Sequence, residues 1–296
     1  MNKSVPPITF ESPLVESNWL AENLSDANLR ILDCSVVMKH FDDGTFEFVS
    51  GQDEWNKSHI PGSIFVDVKT TLSDTEHEVE LMMPAPEKFI ETMKMLGVGD
   101  DTHVVLYDRG NHAWATRVWW MLRVCGFDNV AVLNGGWNKW LAEANAVSLE
   151  KVEYSPAEAF SLNHRPELMV NKDRVLESLN MPEVTLIHSL PPSTFTGEVA
   201  PYARAGRISG SKNLYCEFLI DPESKCYLSL NAISEMFEEI GALDSEKIIT
   251  YCGGGVAASS NAFALALLGF KNVAVYDGSL SEWTLDVALP METGTE

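Results

Sequence analysis

Two stretches of this 296-residue chain are near-copies of each other, and that constrains the fold more than its composition does. FDNVAVLNGGWNKW, Phe127 to Trp140, aligns without a gap on FKNVAVYDGSLSEW, Phe270 to Trp283, at a spacing of 143 residues from Phe127 to Phe270. Upstream, HVVLYDRGNHAWATRVWWMLRVCGF matches KIITYCGGGVAASSNAFALALLGF with one residue fewer in the second copy. VESNWLAENLSDANLRILDCS and VNKDRVLESLNMPEVTLIHSL share an apolar pattern from Val15 and Val170, and SHIPGSIF corresponds to GRISGSKN. Two copies of one unit of roughly 130 residues account for the length.

Within each copy, HVVLY, NVAVL, KIITY and NVAVY are apolar runs of strand length, continuous enough to be buried on both faces of a parallel sheet. AWATRVWWMLRVCGF and SSNAFALALLGF are helix-length apolar stretches that end in glycine, a common helix stop. Strands alternating with helices predict an α/β fold with right-handed crossovers, here in two tandem domains, each a parallel sheet flanked by helices. The expected boundaries are 10–145 for the first domain, 146–168 for a linker without sustained periodicity, and 169–296 for the second.

Charge and cysteine usage narrow the partners. With 43 acidic against 21 basic residues the net charge is -22, which disfavours nucleic acid and anionic membranes. A small anionic substrate therefore needs a locally positive spot. No apolar run approaches the ~20 residues that span a bilayer, and the opening MNKSVPPITFESPLVE lacks an apolar signal core, so a cytoplasmic location is expected. Cys34, Cys125, Cys216, Cys226 and Cys252 form no CxxC pair and no zinc-ligand spacing, which favours reduced thiols. The seven histidines are scattered without an HExxH, and no metal or organic cofactor is implied.

One cysteine stands apart. Cys252 follows a strand and precedes Gly253, Gly254 and Gly255, after which Val256 and Ala257 open a helix. The carboxyl end of a parallel strand is where open α/β sheets bind ligands. Glycines let successive N–H groups turn into one concavity, and the helix adds the positive end of its dipole. A sulfur in such a cradle is expected to be ionised and nucleophilic. The same position in the first copy is Asp108, so one site takes a carboxylate in one repeat and a thiol in the other. Asp108 itself is expected to hold a helix N-terminus or a cation and to take no part in catalysis. A Cys-dependent phosphatase or arsenate reductase needs a loop arginine to clamp its oxyanion, and this loop has none.

The motifs WNKSHIPGSIF, YDRGN, YCGGGVAA and VAVYDGSLSEW, spread over nearly the whole chain, resemble the tandem-domain sulfurtransferases, the family of rhodanese and 3-mercaptopyruvate sulfurtransferase. The resemblance implies a catalytically silent first domain that closes one wall of a cleft over Cys252. It also implies transfer of a sulfane sulfur, from 3-mercaptopyruvate or thiosulfate, through a Cys252 persulfide held by backbone N–H groups from Gly253 to Ala257. The implied acceptor is a thiol, cyanide or a protein thiol. A non-enzymatic sulfur-relay or binding module on the same fold is the alternative. The loop lacks the two cations of the thiosulfate branch, which leans towards mercaptopyruvate. It also departs from that branch: the usual serine and threonine are Gly254 and Ala257, the usual first-domain histidine is Leu81 with His77 nearby, and Thr194 stands where an arginine is usual. Arg204 and Arg207, with Lys212, are candidate substrate-binding cations, or else a solvated basic patch or partners in ion pairs with nearby acids. Trp114, Trp119, Trp120, Trp137, Trp140 and Trp283 are expected to be packing residues, and His59 with Pro61 to fix a turn.

Overall fold

The computed structural model describes residues 10–40 and 46–295. One compact unit runs up to Leu72 and resumes over Ala85–His164; the other combines Ser73–Pro84 with everything from Arg165 on. The first contains β1 (Leu14–Val15), α1 (Ser17–Asn23), β2 (Leu29–Asp33), β3 (Val36–His40), β4 (Phe46–Ser50), α2 (Gln52–Lys57), β5 (Ser63–Phe65), α3 (Pro86–Met95), β6 (His103–Tyr107), α4 (Ala113–Val124), β7 (Val130–Leu133) and α5 (Gly136–Ala142). The second contains β8 (Met169–Val170), α6 (Lys172–Ser178), β9 (Val184–His188), α7 (Pro192–Thr196), β10 (Arg207–Ile208), β11 (Lys212–Asn213), α8 (Leu230–Glu239), β12 (Lys247–Tyr251), α9 (Val256–Leu267), β13 (Val273–Tyr276), α10 (Ser279–Trp283) and β14 (Met291–Glu292).

The two main sheets have the same topology. Their strand orders are β1-β7-β6-β2-β5 and β8-β13-β12-β9-β11, parallel throughout, so each is a parallel α/β sheet, as the repeat predicts, and has five strands. Val15 pairs with Leu133 and Val170 with Tyr276, in the register the alignment gives. The cores repeat as well: Val15, Leu20, Ile31, Val105, Tyr107, Ala131 and Trp140 in one cluster answer to Val170, Val175, Leu186, Ile249, Tyr251, Ala274 and Trp283 in the other. Two features are outside the pattern. The two-residue strands β1 and β8 are too short to show a period, and the antiparallel pair β3–β4 of the first unit has no counterpart among the described residues of the second.

Local sequence explains the central helices. All of α9 from Ala258 to Leu265 is buried, as expected of a helix apolar or small on every side and lying against β12 and β13. By contrast α8 is amphipathic, buries Ile233 and Phe237, and starts at Ser229, whose hydroxyl accepts the Ala232 N–H at 3.3 Å. The 146–164 stretch carries no helix or multi-residue strand, yet it is tied to the first unit: Ala157 N donates to Lys94 O, Asn163 N donates to Cys125 O, and Phe160 packs on Phe127. None of the described helices is long and apolar enough to cross a membrane.

Ser73–Pro84 joins the second unit for identifiable reasons. The Met83 N–H donates to Asp277 Oδ2 at 2.7 Å, and Leu81, with a left-handed φ of 67°, sits over Gly254.

Candidate active site

A tyrosine at the end of a strand fixes the geometry in each unit. Tyr107 and Tyr251 end β6 and β12, and each buried phenol binds the turn after the neighbouring strand-like segment. Tyr107 hydroxyl meets Ser63 Oγ at 3.1 Å and the Ile60 N–H at 3.4 Å; Tyr251 hydroxyl meets Ser211 Oγ at 2.7 Å and the Ile208 N–H at 3.1 Å. The next residue, Asp108 or Cys252, is thereby held at the carboxyl edge of its sheet.

In the first unit the cradle is filled by its own carboxylate. Asp108 Oδ1 accepts the N–H of Gly110 at 2.9 Å and of His112 at 3.2 Å, and Oδ2 accepts those of Trp114 and Ala115, both at 3.1 Å. Four N–H groups converge on one anion at the start of α4, and each charge-assisted bond of this kind is worth about 1.5–3 kcal/mol. Asp108 therefore holds a helix N-terminus, as expected.

Cys252 takes the corresponding place in the second unit and is 2% exposed. Gly255, with φ 73° and ψ -7°, caps α9 as His112, with φ 67° and ψ -4°, caps α4. That left-handed conformation suits glycine, and aligning the two caps makes Ala257 and Ala258 the counterparts of Trp114 and Ala115. The N–H groups of Gly253, Gly254, Val256, Ala257 and Ala258 donate to no other group among the described residues. Of these, Gly253, Ala257 and Ala258 answer to the donors Gly110, Trp114 and Ala115 that serve Asp108 in the first unit, whereas Gly255, the counterpart of the donor His112, gives its N–H to Ser279 Oγ at 3.3 Å.

Ser279 secures this loop. Its hydroxyl donates to Tyr276 O at 2.7 Å and accepts the N–H of Cys252 at 3.0 Å and of Gly255 at 3.3 Å. Leu280 N and Ser281 N donate to the carbonyls of Cys252 and Gly253, both at 3.0 Å. Ser279 takes a φ of 49°, the value found at its counterpart Gly136, so a buried serine occupies a conformation that favours glycine. The repeat alignment already contained that signal, a serine set against a glycine.

Other groups close in from neighbouring strands. Ser189 N donates to Tyr251 O at 2.8 Å and Cys216 N to Ser189 O at 3.1 Å, so Ser189 and Cys216 line the same sheet edge. Burial, and then the charge of Cys252, push the Cys216 thiol upward. Burial lifts Cys125 to about 12, which suits an inert thiol. Tyr202, missed from sequence, rests against Gly253. His77 is not beside the loop but lines a cleft of about 700 Å³ with Lys172, Glu282 and Asp286.

The two candidate cations are employed elsewhere. Arg204 donates to the carbonyls of Trp283, Thr284, Asp286 and Leu289 at 2.7–3.2 Å. Arg207 is 4% exposed, stacks on Phe195 at 4.2 Å, donates to Gly294 O at 2.7 Å and pairs with Glu292 at 3.5 Å. The reading of both as a substrate clamp is corrected accordingly: their guanidiniums pin the end of α10 and the C-terminal strand. His59, the counterpart of Arg207, does likewise, stacking on Trp55 at 4.1 Å and bonding Glu150 O at 3.0 Å. Trp114, Trp119, Trp120, Trp137, Trp140 and Trp283 are all buried, as expected of packing residues.

The family model for the rhodanese-like domain matches residues 16–143 and 172–286. The chain is 35% identical to the 3-mercaptopyruvate sulfurtransferase of Escherichia coli (strain K12) over 287 residues, covering 94% of this chain and 97% of that protein. It is 36% identical to the thiosulfate sulfurtransferase of Cricetulus griseus over 282 residues, covering 91% of each. Among solved structures it matches the 3-mercaptopyruvate sulfotransferase SseA from Escherichia coli with a TM-score of 0.80 at 32% identity, over 92% of this chain and all of that one. The ergothioneine-bound EanB variant Y353A matches at 0.82 with 24% identity, over all of this chain and 74% of that one, a likeness of fold alone. This chain belongs to the rhodanese-like domain family, as a tandem-domain sulfurtransferase.

Proposed function

We propose that sulfur transfer runs through a persulfide on Cys252, with 3-mercaptopyruvate as the preferred donor. The Cys252 thiolate attacks the donor sulfur: an S–S bond forms, the C–S bond breaks, and its electron pair stays on carbon, which takes up a proton to give pyruvate. A thiolate acceptor then attacks the outer sulfur and Cys252 leaves as the thiolate. Cyanide or a protein thiol serves equally as acceptor, and the reduced cysteines fit a cytoplasmic setting.

The observation that carries this reading is the equivalence of Cys252 and Asp108. Where the first unit gathers N–H groups around a carboxylate, the second has a sulfur, and the counterpart N–H groups of Gly253, Ala257 and Ala258 donate to no other described residue, which supports their turning to that sulfur. Donors aimed at a developing anion in a water-poor site typically contribute about 10²–10³ each to a rate. The donor preference follows from charge. Cys252 to Ala258 contain no cation, and Arg204 and Arg207 are bonded to carbonyls, so neither the loop nor these arginines offers a countercharge to a dianion such as thiosulfate.

The test is intact mass after incubation with 3-mercaptopyruvate or with thiosulfate. A gain of about 32 Da, absent in Cys252→Ser, is expected, and faster with mercaptopyruvate. No gain with either donor would refute the persulfide on Cys252.

A further inference from the structure

A side chain on the first glycine of the loop would run into a phenol. A β-carbon built on Gly253 would fall 1.9 Å from the Tyr202 hydroxyl and 2.9 Å from its Cζ, so glycine is required there and the hydroxyl lies against the backbone next to Cys252. The ring packs on the core cluster of Ile249, Tyr251 and Leu280, which holds it in place. Tyr202 is partly buried, and its hydroxyl makes no hydrogen bond to another described residue. Burial, and then the negative charge of Cys252, raise the phenol's pKa, so it stays protonated beside the sulfur.

We propose that Tyr202 donates its O–H to the outer sulfur of the Cys252 persulfide, as the side-chain donor that complements the backbone cradle. This rests on the persulfide reading above and adds a specificity element to it. The proton remains on the phenol throughout, and the hydrogen bond strengthens as charge collects on the transferred sulfur. A neutral donor supports one negative charge but supplies no countercharge for a second. Tyr202 therefore sets the preference for a singly charged donor such as mercaptopyruvate over thiosulfate.

Tyr202→Phe keeps the ring and removes the donor. With 3-mercaptopyruvate, kcat for sulfur loading is expected to fall about 10- to 100-fold, the range for a hydrogen bond to a charged group. KM should move less than about twofold, because the lost interaction belongs to the transition state. Gly253→Ala leaves the tyrosine in the chain but displaces its hydroxyl, and is expected to give a similar loss. The double variant should be no worse than either single one, since both remove one interaction. Loading by Tyr202→Phe at the wild-type rate overturns the proposal, and so do losses that multiply in the double variant. Wild-type protein that gains no sulfur from either donor overturns the persulfide reading itself, and this inference with it.

Discussion

Replacing Ser279 tests whether one hydroxyl holds the reactive loop in shape. Ser279 is fully buried and its Oγ makes three hydrogen bonds, to Tyr276 O and from the N–H groups of Cys252 and Gly255. In Ser279→Ala those three backbone groups lose their partner, at about 1 kcal/mol each, so a destabilisation of about 3 kcal/mol is expected. Alanine also retains the left-handed strain at φ 49°. Glycine removes that strain, worth about 1 kcal/mol, so Ser279→Gly should lose only about 2 kcal/mol. The order is the reverse of the usual preference for alanine over glycine in a helix, which makes it diagnostic. Calorimetry or urea unfolding reads the effect; at about 2–4 °C per kcal/mol, the alanine variant should melt about 6–12 °C lower. Both variants should also load sulfur more slowly than wild type, because Cys252 N and Gly255 N lose their tether. Alanine as stable as serine, or glycine worse than alanine, would show that the hydroxyl does not brace the loop.

Three further outcomes follow from the same geometry. Asp108→Asn keeps the shape but removes the charge from a cradle of four N–H donors, and should destabilise the first unit by about 2–3 kcal/mol in thermal unfolding. Arg204→Lys cannot reach four carbonyls at once; the melting temperature should fall while KM for mercaptopyruvate stays the same, whereas a raised KM at unchanged stability would restore the substrate-clamp role. His188 is buried and its pKa is depressed by that burial, and then by Arg207, from 6.5 to about 3. The unfolded chain binds this proton at a pH where the folded chain does not, so stability is complete above about pH 6.5 and is lost as the pH falls towards 3. His188→Gln should flatten that part of the pH–stability curve, and an unchanged slope would mean that carboxylates alone cause the acid loss.

Most of the fold is legible because the chain states it twice. Each central strand is a continuous apolar run, and the second copy confirms which runs are structural. The tyrosines at 107 and 251 keep their serine partners at 63 and 211 even where SHIPGSIF has drifted to GRISGSKN. The short strands β1 and β8 escape notice because two residues carry no period, although their pairing closes one edge of each sheet. Arg204 and Arg207 are misleading for a related reason. A cation's charge shows in sequence, but whether its donors face a substrate or four carbonyls of the same chain depends on residues about eighty positions away.

The sequence by itself determined the doubled α/β architecture, the strand end on which Cys252 sits, and the glycine turn that leads from it into a helix, because periodicity and glycine spacing are local properties. Only the tertiary structure decided that Ser73–Pro84 joins the second unit, that Ser279 fastens the loop, that Tyr202 lies on Gly253, and that the arginines serve as anchors. Each of those depends on where a side chain's donors and acceptors meet others distant in the chain, and a hydrogen bond is fixed by distance and angle in space, which residue order does not contain.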